Sequence, residues 1–319
     1  MEWLFAGLGL IILLLAGDLM VRGAVNLSLR VGIPALLVSL TIVAFGTSAP
    51  ELLISVKAII DGAPGLALGN VVGSNTANIL LVLGIPALIS RLHTSHCDTR
   101  KSYVLMLLVT AGFIGFSFMG PITWIDGLIF LAILALILLD QAREALGHRR
   151  EKANGTLGED EDIEGLDPNM PWWKIGVFLA LGLIGLPLGA DILVDASLVI
   201  AKNFGVSDAV IGLTLVALGT SLPELATTVM AAIRRQADVA LGNVIGSNMF
   251  NLLAIIGVAS LFGPIPVGAE FLDFDLWVML AASLLILPFV FVKGLDLTRR
   301  WGVVLSALYV VYVVMVVSG

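Results

Sequence analysis

The sequence predicts an all-α integral membrane protein of ten transmembrane helices, folded as two five-helix repeats of opposite orientation. Three observations point there: an apolar composition, a succession of membrane-length apolar segments, and a motif duplicated in one register. Of 319 residues, 59% are hydrophobic and 13% charged, with a mean hydropathy of +1.05. Soluble domains carry about a quarter charged residues, so most of this surface must face lipid.

A helix crosses a hydrocarbon layer of about 30 Å with about 20 residues. Ten such segments are expected, over 3–24, 33–60, 66–90, 102–119, 122–140, 173–200, 207–233, 238–261, 274–293 and 301–317. They are continuously apolar rather than alternating, which excludes a strand barrel. Met1-Glu2-Trp3 offers no basic leader and no small-residue cleavage site follows, so the first segment reads as a retained span. Cys97 is the single cysteine, which leaves no intrachain disulfide.

Charge sorting sets the expected orientation. Arg22, Arg30, Arg91, Arg100, Lys101, Arg143, Arg149, Arg150, Lys152, Lys174, Arg234, Arg235, Lys293, Arg299 and Arg300 fall on the side of the long polar connector; Lys57 and Lys202 fall opposite. Positive residues mark the cytoplasmic face, so the connector is expected inside and both termini outside.

Thr47-Ser48-Ala49-Pro50-Glu51 returns as Thr220-Ser221-Leu222-Pro223-Glu224, 173 positions later. The same offset carries Asp18 to Asp191, Gly32 to Gly205, Thr41 to Thr214, Asn70 to Asn243, Gly73-Ser74-Asn75 to Gly246-Ser247-Asn248, Asn78 to Asn251 and Gly84 to Gly257. One register over that length marks a duplicated unit. The expected organisation is a first repeat over 1–140 (motif 41–84), a linker over 141–171, and a second repeat over 172–319 (motif 214–257). Five spans per unit is an odd number, so the second copy enters from the opposite side, an architecture that places transporter sites at the repeat interface near the midplane. The linker runs from basic (Arg143 to Lys152) to acidic (Glu159 to Glu164) and reads as a solvated, mostly disordered tether.

The polar residues of each repeat gather in two places. Gly and Pro in 46–51 and 219–224 break the helix, because Pro lacks a donor and clashes with the preceding turn. The break is expected to expose backbone carbonyls, assigned to Ala44 and Ala217, beside the hydroxyls of Thr47, Ser48, Thr220 and Ser221. Ser74 and Asn78 stand four apart, on one helix face, as do Ser247 and Asn251. Packing explains Ser74 and Gly73 as readily as ligation does, and Asn70, Asn75, Asn243 and Asn248 read as amides serving broken backbone. Glu51 and Glu224 are different: a carboxylate at membrane depth is costly and marks function. No Lys or Arg sits centrally to pair with them. Oxygen groups around two carboxylates suit a hard cation, Ca²⁺ above all. Asp18 and Asp191 lie nearer span ends and read as caps or interhelical hydrogen bonds; Asp126 and Asp140 read as interfacial.

These doubled motifs, GTSAPE with LGN and GSN, resemble the α-repeats of the cation/calcium exchanger superfamily, in its prokaryotic sodium/calcium exchanger branch. The resemblance covers essentially the whole chain. It implies Na⁺/Ca²⁺ exchange, Ca²⁺ held by Glu51 and Glu224 with Thr47 and Thr220, and Na⁺ held by the same glutamates with Ser48, Ser74, Ser221, Ser247 and the Ala44 and Ala217 carbonyls. Asn78 and Asn251 would close the middle of the site. Some relatives place Asp where Asn251 stands, so this site has two carboxylates rather than three. The expectation is a transporter of a plasma membrane (inner, in a bacterium), not an enzyme, with Ca²⁺ and Na⁺ as cargo and the bilayer as surroundings, no cofactor, no nucleic acid and no obligate protein partner. Ca²⁺/H⁺ antiport is the alternative. An intramembrane hydrolase would want paired Asp or Ser and His, but His93, His96 and His148 all fall in loops.

Overall fold

Helix formation here is dictated by the solvent: a backbone in hydrocarbon must satisfy its own polar groups, and a helix does so within one segment. The computed structural model describes residues 1–94, 97, 99–153, 167, 170–204 and 217–318. In chain order its principal helices are α1 (Glu2–Val31), α2 (Ala35–Thr47), α3 (Ala49–Ile60), α4 (Pro64–Ile89), α5 (Arg100–Ser117), α6 (Trp124–Ala153), α7 (Trp172–Asn203), α8 (Ala217–Thr220), α9 (Leu222–Ile233), α10 (Ala237–Ala259), α11 (Phe271–Phe291) and α12 (Arg299–Ser318). The described residues form no strand, only two isolated bridges, Leu92 with Leu297 and Ile122 with Ile265.

By length and apolarity, seven described helices qualify to cross a membrane, eight if α2 and α3, bent by 43°, count as one span. The expected ten is therefore not reached. Arg100–Ser117, on the segment expected over 102–119, opens on Arg and Lys and is not among the seven. Leu222–Ile233 is apolar but too short alone, and residues 205–216, which hold the start of the expected seventh span with Gly205 and Thr214, lie outside the described residues. The linker expectation needs correction at its basic end. Arg143 lies inside α6, which continues unbroken to Ala153, because no Gly or Pro interrupts the register after the membrane-depth residues apart from Gly147. The acidic run at 159–164 lies outside the described residues.

The helices form a bundle with α4 and α10 at its centre: 72% and 94% of their apolar windows are buried, against 17–39% for the other qualifying helices. Both central helices carry one π-helical turn, Asn78–Val82 and Asn251–Ile255, at equivalent points of the repeat. Such turns often mark functional positions. Around this core, α1 and α7 pack along most of their length. Lipid offers little hydrophobic drive between helices, so close backbone approach supplies the attraction. A Cβ on Gly9 would stand 2.6 Å from the Leu193 nitrogen, and one on Gly189 would stand 2.8 Å from that of Leu13. Replacing Gly189 by Leu forces these backbones apart. The expected cost is about 1–3 kcal/mol, read as a lower thermal unfolding midpoint of purified protein in detergent.

Candidate cation site

Pro50 and Pro223 sit in the first turns of α3 and α9 and create two near-identical breaks. Ser48 lies at φ −87°, ψ 2° and Ser221 at φ −88°, ψ 2°. Each break places a glutamate in the first turn of the following helix, where the unpaired N–H groups favour negative charge. Glu51 and Glu224 are 1% and 0% exposed.

Asparagines brace the breaks. Asn70 Nδ2 donates to the Glu51 carbonyl (3.3 Å) and to Ser55 Oγ (3.0 Å). Asn243 Nδ2 donates to the Glu224 carbonyl (3.3 Å) and to Thr228 Oγ1 (3.1 Å), the same pair of bonds 173 positions on. Side chains then cross between copies. Ser48 Oγ donates to Glu224 Oε1 (3.1 Å), and the Thr47 hydroxyl lies 3.2 Å from Asn243 Oδ1 and 3.4 Å from Ser247 Oγ. Asn75 and Asn248 each donate to the other's backbone carbonyl, while Asn78 and Asn251 donate to the side chains of Asn248 and Asn75.

Buried polar groups are normally paired, yet unpaired oxygens concentrate here. Among the described residues, twelve buried side-chain N and O atoms lack a hydrogen-bond partner, and seven of them are Glu51 Oε1 and Oε2, Glu224 Oε2, Ser74 Oγ, Ser221 Oγ, Asn78 Oδ1 and Asn251 Oδ1. Oxygen-only donors with two carboxylates match the preference of a hard cation. Thr47, Ser247 and Thr220 are buried as well, so ten of the twelve expected ligands bring their side chains to the buried interior.

The remaining two were expected through their carbonyls. That of Ala44 already accepts from the Ser48 N–H (3.0 Å) and the Thr47 hydroxyl (3.2 Å). Pro50 has no N–H for the carbonyl four residues back, so Gly46, and Gly219 in the second copy, lose a helical donor instead. Ala217 opens α8. Ser55 and Thr228, fully buried partners of the bracing amides, went unnoticed in the sequence; their matching hydroxyls at the repeat offset were the available signal.

Asp18 does make an interhelical contact, pairing with Arg234 beside α9 as well as with Arg22 (3.3 Å). Asp191 does not. It is exposed on an open cleft of about 830 Å³ lined also by Gly46, Ala49 and Pro50. The repeat explains why: the positions equivalent to Arg22 and Arg234 hold Asp195 and Asp61. Asp126 caps α6, accepting from the Thr123 N–H and hydroxyl (2.8 Å each), and Asp140 pairs with Lys101 (2.6 Å).

A bundle of membrane-length helices closed around buried, unpaired acceptors and two carboxylates defines a membrane carrier of cations. The chain belongs to the sodium/calcium exchanger protein family, whose model matches residues 1–142 and 174–318. It is 35% identical over 341 residues to the sodium/calcium exchanger MaX1 of Methanosarcina acetivorans, covering 96% of each chain. It is 37% identical over 288 residues to the putative antiporter CaxA of Alkalimonas amylolytica, covering 89% of this chain and 88% of the relative. Among solved structures, the sodium-calcium exchanger NCX_Mj soaked with 10 mM Na⁺ and zero Ca²⁺ superposes with a TM-score of 0.81 at 32% identity, over 98% of this chain and 99% of that one.

Replacing Asn243 by Leu strips a donor from the Glu224 carbonyl and Thr228 and an acceptor from Thr47. The expected loss is about 1–3 kcal/mol of stability, again measured by thermal unfolding in detergent.

Proposed function

We propose that this protein exchanges Na⁺ for Ca²⁺ by alternating access, with Glu51 and Glu224 as the shared charged ligands. The observation that carries the reading is the cluster of seven unpaired buried oxygens around those carboxylates. Ca²⁺ takes Glu51 and Glu224 with Thr47 and Thr220. Na⁺ takes the same glutamates with Ser48, Ser74, Ser221, Ser247 and the Ala44 and Ala217 carbonyls, Ala44 first releasing the Thr47 hydroxyl. Asn78 and Asn251 face the cargo through their amide oxygens.

Charge explains why such a carrier exchanges rather than leaks. Two bare carboxylates in a water-poor interior are costly, and either one Ca²⁺ or several Na⁺ neutralises them. Only the loaded site then passes readily through an occluded state. The closely packed pair α1 and α7 is the candidate moving element.

The proposed frame is two inverted five-helix repeats making ten crossings. Reciprocal bonds at the 173-residue offset support it, as do the two bridges: Leu92 pairs with Leu297 just before α12, and its counterpart Ile265 pairs with Ile122 just before α6. Both termini lie outside and the 141–171 linker is cytoplasmic. A second reading, Ca²⁺/H⁺ antiport, draws on the free carboxylate oxygens of Glu51, which could take protons in place of Na⁺.

The deciding measurement is ⁴⁵Ca²⁺ uptake into proteoliposomes loaded with Na⁺, beside K⁺-loaded and pH-gradient controls. Uptake is expected only with internal Na⁺; uptake driven by the pH gradient alone would move the protein to the second reading. Glu51→Gln and Glu224→Gln should each abolish exchange, and normal rates in either would sink the two-carboxylate site. Burial and the neighbouring Asp238 carboxylate push the Cys97 thiol up, so maleimide should label native protein slowly near neutral pH. Against that background, Asp61→Cys should label in intact cells and Arg143→Cys only after permeabilisation.

A further inference from the structure

The four asparagines where α4 meets α10 play two different parts. A primary amide has a donating and an accepting end, and its neighbours decide which way it faces. Asn75 Nδ2 lies 3.3 Å from the backbone carbonyl of Asn248, and Asn248 Nδ2 lies 3.5 Å from that of Asn75. A carbonyl only accepts, so both nitrogens are committed and both Oδ1 atoms turn the other way. Asn75 Oδ1 then accepts from Asn251 Nδ2 (3.1 Å), and Asn248 Oδ1 accepts from Asn78 Nδ2 (3.0 Å). This commits the second pair in turn. Asn78 Oδ1 and Asn251 Oδ1 are left as buried acceptors without partners.

We propose that Asn75 and Asn248 are positioning residues of the cation site, each holding the amide oxygen of the asparagine across the interface, Asn251 and Asn78 respectively, toward the cargo. The inference rests on the cation-site reading above. The reason for such a relay is electrostatic. A flipped Asn78 or Asn251 would present its NH₂ dipole to a cation, turning an attraction into a repulsion within one ligand shell. Neither asparagine has a backbone carbonyl of its own to prevent that flip; each borrows one through its partner. All four residues are at most 1% exposed, so water does not substitute for the missing constraint. The pairing is crossed: Asn75 governs Asn251 from the second copy, and Asn248 governs Asn78 from the first.

The crossed pattern is what an experiment reads. Ca²⁺ affinity is measured by isothermal titration calorimetry on the purified full chain in detergent, which requires no assumption about the coupling ion. Asn75→Leu is expected to weaken Ca²⁺ roughly five- to tenfold, the loss of about one oriented hydrogen bond. In an Asn251→Ala background the same substitution should add less than roughly twofold, whereas in an Asn78→Ala background it should keep its full effect. Asn248→Leu should show the mirror pattern. Where Leu prevents folding, Asn75→Ala and Asn248→Ala remove the relay without adding bulk, and thermal unfolding confirms a folded state. Equal effects of Asn75→Leu in all three backgrounds, or an unchanged Ca²⁺ affinity, would overturn the relay and leave the cation site standing. A wild-type protein that binds no Ca²⁺ would overturn both.

Discussion

Burying two carboxylates inside a bundle whose outer solvent is lipid is the constraint from which the remaining structure follows. Among the described residues neither Glu51 nor Glu224 has a basic partner; each has a helix N-terminus and Glu224 also has hydroxyl donors, Ser48 among them. A charge held this way needs broken helices to aim it, and broken helices expose backbone that lipid cannot satisfy. The breaks therefore sit against the most buried helices of the molecule, α4 and α10, whose asparagines supply the missing donors. Burial of the site, helix breakage and amide content are one solution to one problem.

Duplication gives that solution economically. One bracing device, an asparagine donating to a glutamate carbonyl and to a hydroxyl four residues further on, appears twice. At the centre, the copies meet through bonds that exchange roles, Asn75 with Asn248 and Asn78 with Asn251. A twofold arrangement of donors and acceptors is self-complementary, so no additional residue type is needed to join the halves. It also explains why amides rather than hydroxyls occupy these positions, since only an amide both donates and accepts along a fixed plane.

The copies differ where the ends of the molecule differ. Around Asp18 stand Arg22 and Arg234, and the ion pair ties α1 to the end of α9. At the positions of the second repeat and the first that correspond to Arg22 and Arg234 stand Asp195 and Asp61, neither of which can pair with Asp191. Asp18 is thus held by an electrostatic link between helices, while Asp191 lies on an open cleft whose lining is otherwise mostly apolar.

Much of this was legible in the sequence. Hydropathy located nearly every helix, because a lipid-facing segment must be apolar along its length. The repeat register singled out both glutamates and their polar neighbours as candidates, because a duplicated sequence keeps its spacing. The structure added what depends on partners rather than on spacing. Thr47 and Ser48 occupy the Ala44 carbonyl, while Pro50 takes the helical donor from Gly46; that distribution depends on how the turn closes. Helix α6 runs on into the expected linker, and Asp18 and Asp191 part ways because the positions equivalent in the repeat carry opposite charge. A spacing of four residues places two side chains on one face of one helix. Which end of an amide looks inward is settled only when a carbonyl from another helix arrives beside it, and that is a property of the packed bundle alone.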